Sequence, residues 1–441
     1  METDADMSAQ LATIRECVGA LASVCTLATL LAVHPGKVYA TDEDLDQYKT
    51  WSDRLAAAAK RHDAADELLC VTTIGRRWAW ALNTLPHNLI EQAARDSELA
   101  RLGQSRAEML QMLYDRRWRR NDGSEPSRWW SQLSLDLLGQ NRRDEAFAVA
   151  AHITDPHVLI GLQADNRYVD IERSKFVERD ILKAAQNELE RRQDAARQSP
   201  RNLSQLVRVA DGLMLLHRYN EILQLTDSVL HAEQGATPES PPYEDLQRQI
   251  PWILDMRARA LSALGRYEEA LEVLRRAVQD ATGDRISHSL NLAVFLARLN
   301  RPQEALAAIP TLEDASAYGR AVAAMARVMI AVEMGDQTEL NRALDDLRTH
   351  AQDYPGTRER ALIVAGREDE AAAALVARFS DADLRTDALV ESQDYAEHPG
   401  PRRVIEWRER LTALRNRPEV RREIAAYGRI RRYPIAGVGG F

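Results

Sequence analysis

The chain is short of the residues that would announce covalent stapling or catalysis. It has three cysteines in 441 residues, and two of them, Cys17 and Cys25, lie within positions 1–40. If that segment is removed, Cys70 stands alone and no intramolecular disulfide can form, so stability has to come from packed helices. Beside Leu68 and Leu69, Cys70 reads as a small buried hydrophobe. There is no HExxH, no paired CxxC, no GxSxG and no GxxxxGK(S/T), and the ten His residues are scattered. No metal, no cofactor and no catalytic residue is therefore expected. His62 with Asp63, Asp66 and Glu67 comes closest to a ligand cluster, although the same spacing describes a solvated helix face. With 67 carboxylates, close acidic pairs are inevitable and none can be singled out for acid/base work. An excess of positive charge is also missing: 58 basic against 67 acidic side chains leave a net charge of −9, without the basic footprint of a dedicated nucleic-acid binder.

What is present is helix. Gly is limited to 20 and Phe to five, while 45% of residues are hydrophobic and 28% charged, the balance of a soluble helical chain. The clearest stretch is Leu254 to Ala277, two helical stripes broken by one Gly. Leu254, Ala258 and Leu261 mark the first, Gly265 the turn, and Tyr267, Ala270, Leu274 and Ala277 the second, with Glu268, Glu269, Glu272, Arg275 and Arg276 facing outward. The unit recurs, with Ala270, Ala305 and Leu340 spaced by 35 residues. A fourth copy carries Gly366 and Ala371 after a first helix shortened by Tyr354-Pro355-Gly356. Upstream copies carry Tyr219 with Ile222, and Ala146 with Ala150 behind Trp130, Leu133, Ser134 and Leu137. A faint one places Ala65 and Leu69 at the same offsets.

This order resembles the tetratricopeptide repeat (TPR), whose period is about 34 residues. The resemblance covers roughly residues 125–380. It implies an all-α fold, an α-solenoid of helical hairpins wound into a right-handed superhelix, in which each repeat buries its apolar face by stacking on a neighbour. The expected organisation is a signal segment over 1–40, degenerate hairpins over 41–124, the repeat solenoid over 125–398, and a capping helix with a flexible Gly-containing tail over 399–441. The resemblance also implies a protein–protein interaction scaffold that holds a peptide or partner helix in a concave groove. By offset, that groove is lined by Val207, Asp211, Asp255, Arg259, Ser262, Leu290, Val294, Met325 and Met329. The Lys and Asn residues with which some family members clamp a terminal carboxylate are missing there, and the two Met residues suit an apolar segment.

One other stretch stands out. Arg116, Arg117, Trp118, Arg119 and Arg120 form a basic aromatic cluster that could grip an anionic partner or nucleic acid, the alternative function for a cytoplasmic regulatory repeat protein. A helix C-terminus rich in Arg explains it equally well.

At the N-terminus, Val18 to Val33 is sixteen residues without a charge, followed by Val38-Tyr39-Ala40 and an acidic run. That fits a secretory signal with cleavage before Thr41, against which stand Glu2, Asp4 and Asp6 where basic residues are wanted. The alternative is an apolar helix that caps the solenoid. Cleavage removes four acidic and two basic side chains, takes the net charge from −9 to −7, and leaves no span long enough to insert stably in a bilayer. The expected location is then periplasmic or secreted, in a bacterial envelope, and otherwise cytoplasmic. N-terminal sequencing of the protein from its native cell is expected to start at Thr41; retention of Met1 or Met7 would remove the export reading.

Overall fold

A computed structural model describes residues 41–120, 122–168, 179–235, 237, 240–349, 355–396 and 399–437. The proposed signal segment, 1–40, lies outside the described residues, as does the last part of the tail, 438–441. The protein is an all-α helical repeat protein, and among the described residues the only sheet is one short parallel pair. Two compact units divide the chain, Met1–His152 and Ile153–Phe441. The first holds three hairpins: α1 (Asp42–Arg61) with α2 (Ala64–Arg77), α3 (His87–Leu99) with α4 (Gly103–Asp115), and α5 (Ser127–Gly139) with α6 (Arg143–Ala150). The second opens with α7 (Pro156–Ala164) and α8 (Ile181–Gln198). Five hairpins follow, α9 (Leu203–Leu215) with α10 (Tyr219–Gln234), α11 (Leu246–Ala263) with α12 (Tyr267–Asp280), α13 (Arg285–Arg298) with α14 (Pro302–Ala308), α15 (Ala317–Met334) with α16 (Gln337–Thr349), and α17 (Pro355–Val364) with α18 (Glu368–Ser380). It ends in α19 (Arg385–Glu391), β1 (Asp394–Tyr395), α20 (Arg402–Arg415), α21 (Pro418–Tyr427) and β2 (Arg432–Tyr433).

Every hairpin turns in the same way. Two residues before the second helix, one residue adopts a positive φ: His62, Arg101 and Asn141 in the first unit, and His217, Gly265, Asn300, Gly335 and Gly366 in the second. A left-handed residue stops a helix in one step, because the following N–H can then reach back to a carbonyl of the last turn. Arg266 donates to Leu261 O at 2.9 Å, Arg301 to Leu296 O at 3.0 Å and Arg367 to Leu362 O at 2.9 Å. Gly adopts this conformation without a Cβ clash and Asn tolerates it better than most residues, which accounts for five of the eight positions. In five hairpins the next residue is an Arg whose guanidinium pairs with a Glu three positions on. These are Arg142–Glu145, Arg218–Glu221, Arg266–Glu269, Arg301–Glu304 and Arg367–Glu370, all at 2.5–2.6 Å. Where Asp336 replaces that Arg, its Oδ1 accepts from the Thr338 and Glu339 N–H groups at 3.0 Å and caps the helix directly.

Five residues after the turn comes the position at which the helices cross. Ala146, Ile222, Ala270, Ala305 and Ala371 are fully buried there, and Leu340 nearly so. The first helices of successive hairpins, from α9 through α11, α13 and α15 to α17, pack on one another. The crossing therefore sets the distance within a hairpin, and the larger residues fill the seam to the next. In the first unit the same position holds Glu67 and Arg106, both buried. The faint repeat thus sits in another register from the expected one: Ala65 and Leu69 face solvent, and Ala64 and Leu68 face the core.

The second unit joins its beginning to its end. Helix α7 packs on α19 so closely that a Cβ on Gly161 would stand 2.8 Å from Thr386 Cγ2. The Arg429 N–H donates to Ala164 O at 2.9 Å, and Ala436 N–H to Leu215 O at 2.9 Å. The segment expected as an end cap and flexible tail is therefore docked through Gly437, because Tyr433 and Ile435 are buried and β2 pairs with β1.

Replacing Ala270 by Arg puts a long charged side chain where no space exists and is expected to destabilise the protein by several kcal/mol. Thermal unfolding reads this directly, with Glu272→Ala, on the outer face of the same helix, as the control expected to stay within about 0.5 kcal/mol. An unchanged melting curve for the Arg variant would refute the crossing assignment.

Candidate functional site

Counting back from each turn residue puts the expected groove positions on a common frame. Val207, Asp255, Leu290 and Met325 stand ten residues before it, Asp211, Arg259, Val294 and Met329 six before it, and Ser262 three before it. The ten-before row belongs mainly to the core: Asp255, Leu290 and Met325 are buried and Val207 is half-buried. The six-before row is graded from exposed Asp211 and Arg259, through half-buried Val294, to buried Met329. The open part of the face is therefore Asp211, Arg259, Ser262 and Val294, on α9, α11 and α13. Its polar groups are tied together. Arg259 Nε forms an ion pair with Asp255 Oδ2 at 2.8 Å, Asn291 Nδ2 donates to Asp255 Oδ1 at 2.9 Å, and Arg192 from α8 donates to Asp211 Oδ2 at 2.7 Å.

Further along the same face lies α20. Leu414 is buried in the core of the unit, and Trp407 and Leu411 pack against it. Arg403 pairs with Glu333 at the end of α15, and Arg410 Nη1 donates to the Ile363 and Val364 carbonyls at the end of α17, at 3.2 and 3.3 Å. Those carbonyls belong to a last helical turn, which carries the negative end of the helix dipole, and the Ile363 carbonyl accepts from the Gly366 N–H at 3.1 Å as well. Between α20 and the ends of α13, α15 and α17 remains a cavity of about 210 Å³, lined in part by Arg298, Met329, Val332, Val364, Val404 and Trp407. Arg298, Glu333 and Val364 are the same repeat position, two before the turn, in three successive hairpins. Burial pushes the Arg298 guanidinium down to about 9, with Arg259 adding to the effect and Asp255 opposing it. Sequence reasoning treated α20 as a polar cap and missed this seat. The signal was there in Val404, Trp407, Leu411 and Leu414, an apolar stripe at helical spacing that needs a surface to cover it.

The Arg-Trp cluster is spent within its own unit. Trp118 is buried, stacked on Trp129 with centroids 5.3 Å apart and planes 17° apart, and so presents no free face to an incoming base. Arg116 donates to the Gly75 and Arg76 carbonyls at 3.1 Å, while Arg119 and Arg120 pair with Glu125 and Glu91 at 3.0 and 3.2 Å. Arg117 is exposed, in a left-handed conformation.

The acidic cluster around His62 is also local. No group of residues suited to a metal ion occurs among the described residues. His62 Nδ1 lies 2.8 Å from Asp96 Oδ2, and Gln92 Nε2 donates to the same oxygen at 3.2 Å. Glu67 lies beneath them, and burial pushes its carboxyl up to about 7, helped by the Asp96 charge and by a hydrogen bond with Asp96.

Stacked hairpins with a common turn, small residues at the crossings and a face of first helices define a helical repeat protein of the kind that meets other proteins. Residues 251–295, from α11 into α13, match the family model described as Tetratricopeptide repeat. The match supports a TPR-type repeat protein, and TPR domains generally mediate protein–protein interactions. No curated protein matches the chain.

Glu67 gives a test of the buried cluster. In the unfolded chain its carboxyl titrates near 4.5, and in the folded protein near 7. Between these values the folded state keeps a proton that the unfolded state has released, so this contribution to stability is full below pH 4.5 and is lost as pH rises through 7. The melting temperature of Glu67→Gln relative to the parent protein is expected to climb over that interval and level off above it, by an amount equivalent to roughly 3 kcal/mol. A difference that stays constant from pH 4.5 to pH 8 would refute the assignment.

Proposed function

We propose that this chain is a non-enzymatic interaction scaffold whose first-helix face holds a peptide or a helix of another protein. The observation that carries the reading is α20 itself: an amphipathic helix already lies on that face, its apolar stripe inward and its Arg side chains on helix ends. Helix-in-groove recognition uses anchors of this spacing. The exposed continuation of the face, around Asp211, Arg259 and Ser262, gives a partner polar contacts beside the apolar seat.

The site of action we propose is the bacterial envelope, with export by the apolar segment Val18 to Val33. No helix among the described residues is long and apolar enough to cross a membrane.

The experiment is affinity capture with the full-length protein, identified by mass spectrometry and repeated with Arg259→Glu/Ser262→Arg. Because Arg259 partners the buried Asp255, Ser262→Arg alone, which leaves that pair intact, is run beside the double variant and is expected to melt like the parent. At least one stoichiometric protein should be lost by about tenfold, the equivalent of roughly 1.4 kcal/mol of binding energy. Recovery of an identical set by both proteins would overturn the proposal.

A further inference from the structure

The seat beneath α20 has a chemistry of its own. Three first helices, α13, α15 and α17, bring their C-terminal ends to it, and with them last-turn carbonyls and the negative ends of three helix dipoles. Glu333 adds a full negative charge at the middle one, its side chain largely buried, and Arg298 brings a buried guanidinium to the end of α13. Between the ends, Met329, Val332 and Val364 form an apolar floor. A ligand for such a surface needs donors spaced to reach helix ends and an apolar stripe between them. Helix α20 has both. Arg403 and Arg410 are seven residues apart, two turns on one face, and reach Glu333 and the Ile363 and Val364 carbonyls. Val404 and Trp407 occupy the space between them.

The fit is looser than any crossing within the repeats. The repeat crossings at Ala270, Ala305 and Ala371 have no accessible surface at all. Under α20, by contrast, lies a cleft of about 210 Å³ that is half open to solvent, Trp407 and Leu411 are only half-buried, and Ile405 on the outer face is 45% exposed. Apolar side chains that line an open cleft have fewer neighbours than those of a closed crossing, so the helix is held less firmly than its size allows. The chain on either side of α20 is anchored without it. On one side β1 pairs with β2; on the other, α21 packs on α18 with Val420 fully buried, and Arg429 bonds to Ala164 O. Pro399, Gly400 and Pro401 precede α20, and Pro418 opens α21, so the backbone leaves its helical path at both ends. Leaving the seat withdraws Leu414 from the core and gives up the contacts of Arg415 with the Ser392 carbonyl and Asp394, while the pairing of β1 with β2 and the packing of α21 on α18 stay in place.

We infer that α20 is a cis-bound competitor for this seat, and that the seat's partner in trans is a basic amphipathic helix of another protein carrying Arg and an aromatic residue at α20's spacing. This rests on the scaffold reading and names its partner class. A covered site binds with an affinity reduced by the fraction of time it is open, so loosening the cover tightens binding in trans.

The test uses full-length protein and a fluorescein-labelled synthetic peptide with the sequence Pro401 to Asn416, read by fluorescence anisotropy. Trp407→Ala/Arg410→Ala in the protein weakens the cis helix and leaves the seat intact. This variant should bind the peptide about tenfold more tightly than the parent, and a peptide with Glu in place of both Arg403 and Arg410 should not bind either protein. Equal binding by parent and variant, with helicity and melting retained, overturns the inference. If the variant does not fold, Glu333→Cys/Arg403→Cys joined by a flexible bis-maleimide fixes α20 in place. Joining should then lower peptide binding by about tenfold relative to the same protein before cross-linking, and no change overturns the inference. Because the peptide probes the seat without any cellular partner, peptide competition with no protein captured refutes the scaffold reading alone. Partner capture through Arg259 and Ser262 with no effect of α20 refutes this inference alone.

Discussion

A single left-handed residue at each hairpin turn governs the rest of the structure. It ends the first helix at a fixed place, so the residue five positions later always falls on the helix crossing. Only then can a small side chain be in the right place repeatedly, and only then do the ends of the first helices line up from one hairpin to the next. The constraint is cheap at Gly265, Gly335 and Gly366 and is tolerated at Asn141 and Asn300. At His62, Arg101 and His217 the backbone holds the same conformation without that help. The back-bond from the next N–H is made there too, by Asp63, Leu102 and Arg218 at 2.9–3.1 Å.

The two units use that frame differently. In the second, apolar residues occupy every crossing and the first helices form a continuous packed layer. In the first, Glu67 and Arg106 stand at two crossings, and each needs a set of partners to be tolerated. Arg106 bonds to Ala94 O, Glu98 and Gln132, and Glu67, its carboxyl pushed up to about 7, lies beside Gln92, whose Nε2 donates to its Oε1 at 3.5 Å. Buried polar groups require such matched neighbours, and the neighbours are not interchangeable. The first two hairpins are correspondingly far from the small-large pattern that marks the repeats, whereas the third keeps it at Ala146.

That contrast explains what could be read from the sequence. The crossings at Ala270, Ala305 and Leu340 were legible because apolar residues recur there at a spacing of 35, and Ala371 because it follows the turn glycine Gly366 by five residues, as Ala270 follows Gly265. The Arg-x-x-Glu clasp recurs as regularly, from Arg142–Glu145 to Arg367–Glu370, but is masked by the many charged pairs of an ordinary helical surface. The register of the first hairpin was misplaced by two residues because its crossing residue is a Glu. The offsets place Asp211, Arg259, Val294 and Met329 at one repeat position, whereas no offset rule says that α20 lies across part of the same face. That contact joins elements distant in sequence, and its only local trace is the apolar stripe of Val404, Trp407, Leu411 and Leu414.

The junction of α7 with the segment after α21 bears on how the protein is made. Asn166 Nδ2 donates to the carbonyl of Ala426, a contact that spans 260 residues. During synthesis the ribosome delivers α7 first, and its carbonyl at Ala164 and its glycine-lined flank at Gly161 wait for partners that do not yet exist. The intervening hairpins can assemble in order as they emerge, each on its predecessor, whereas this closure has to come last and costs the entropy of a very long loop. The early helix is therefore the region of the nascent chain that most needs shielding from other molecules until translation has passed its distant counterpart.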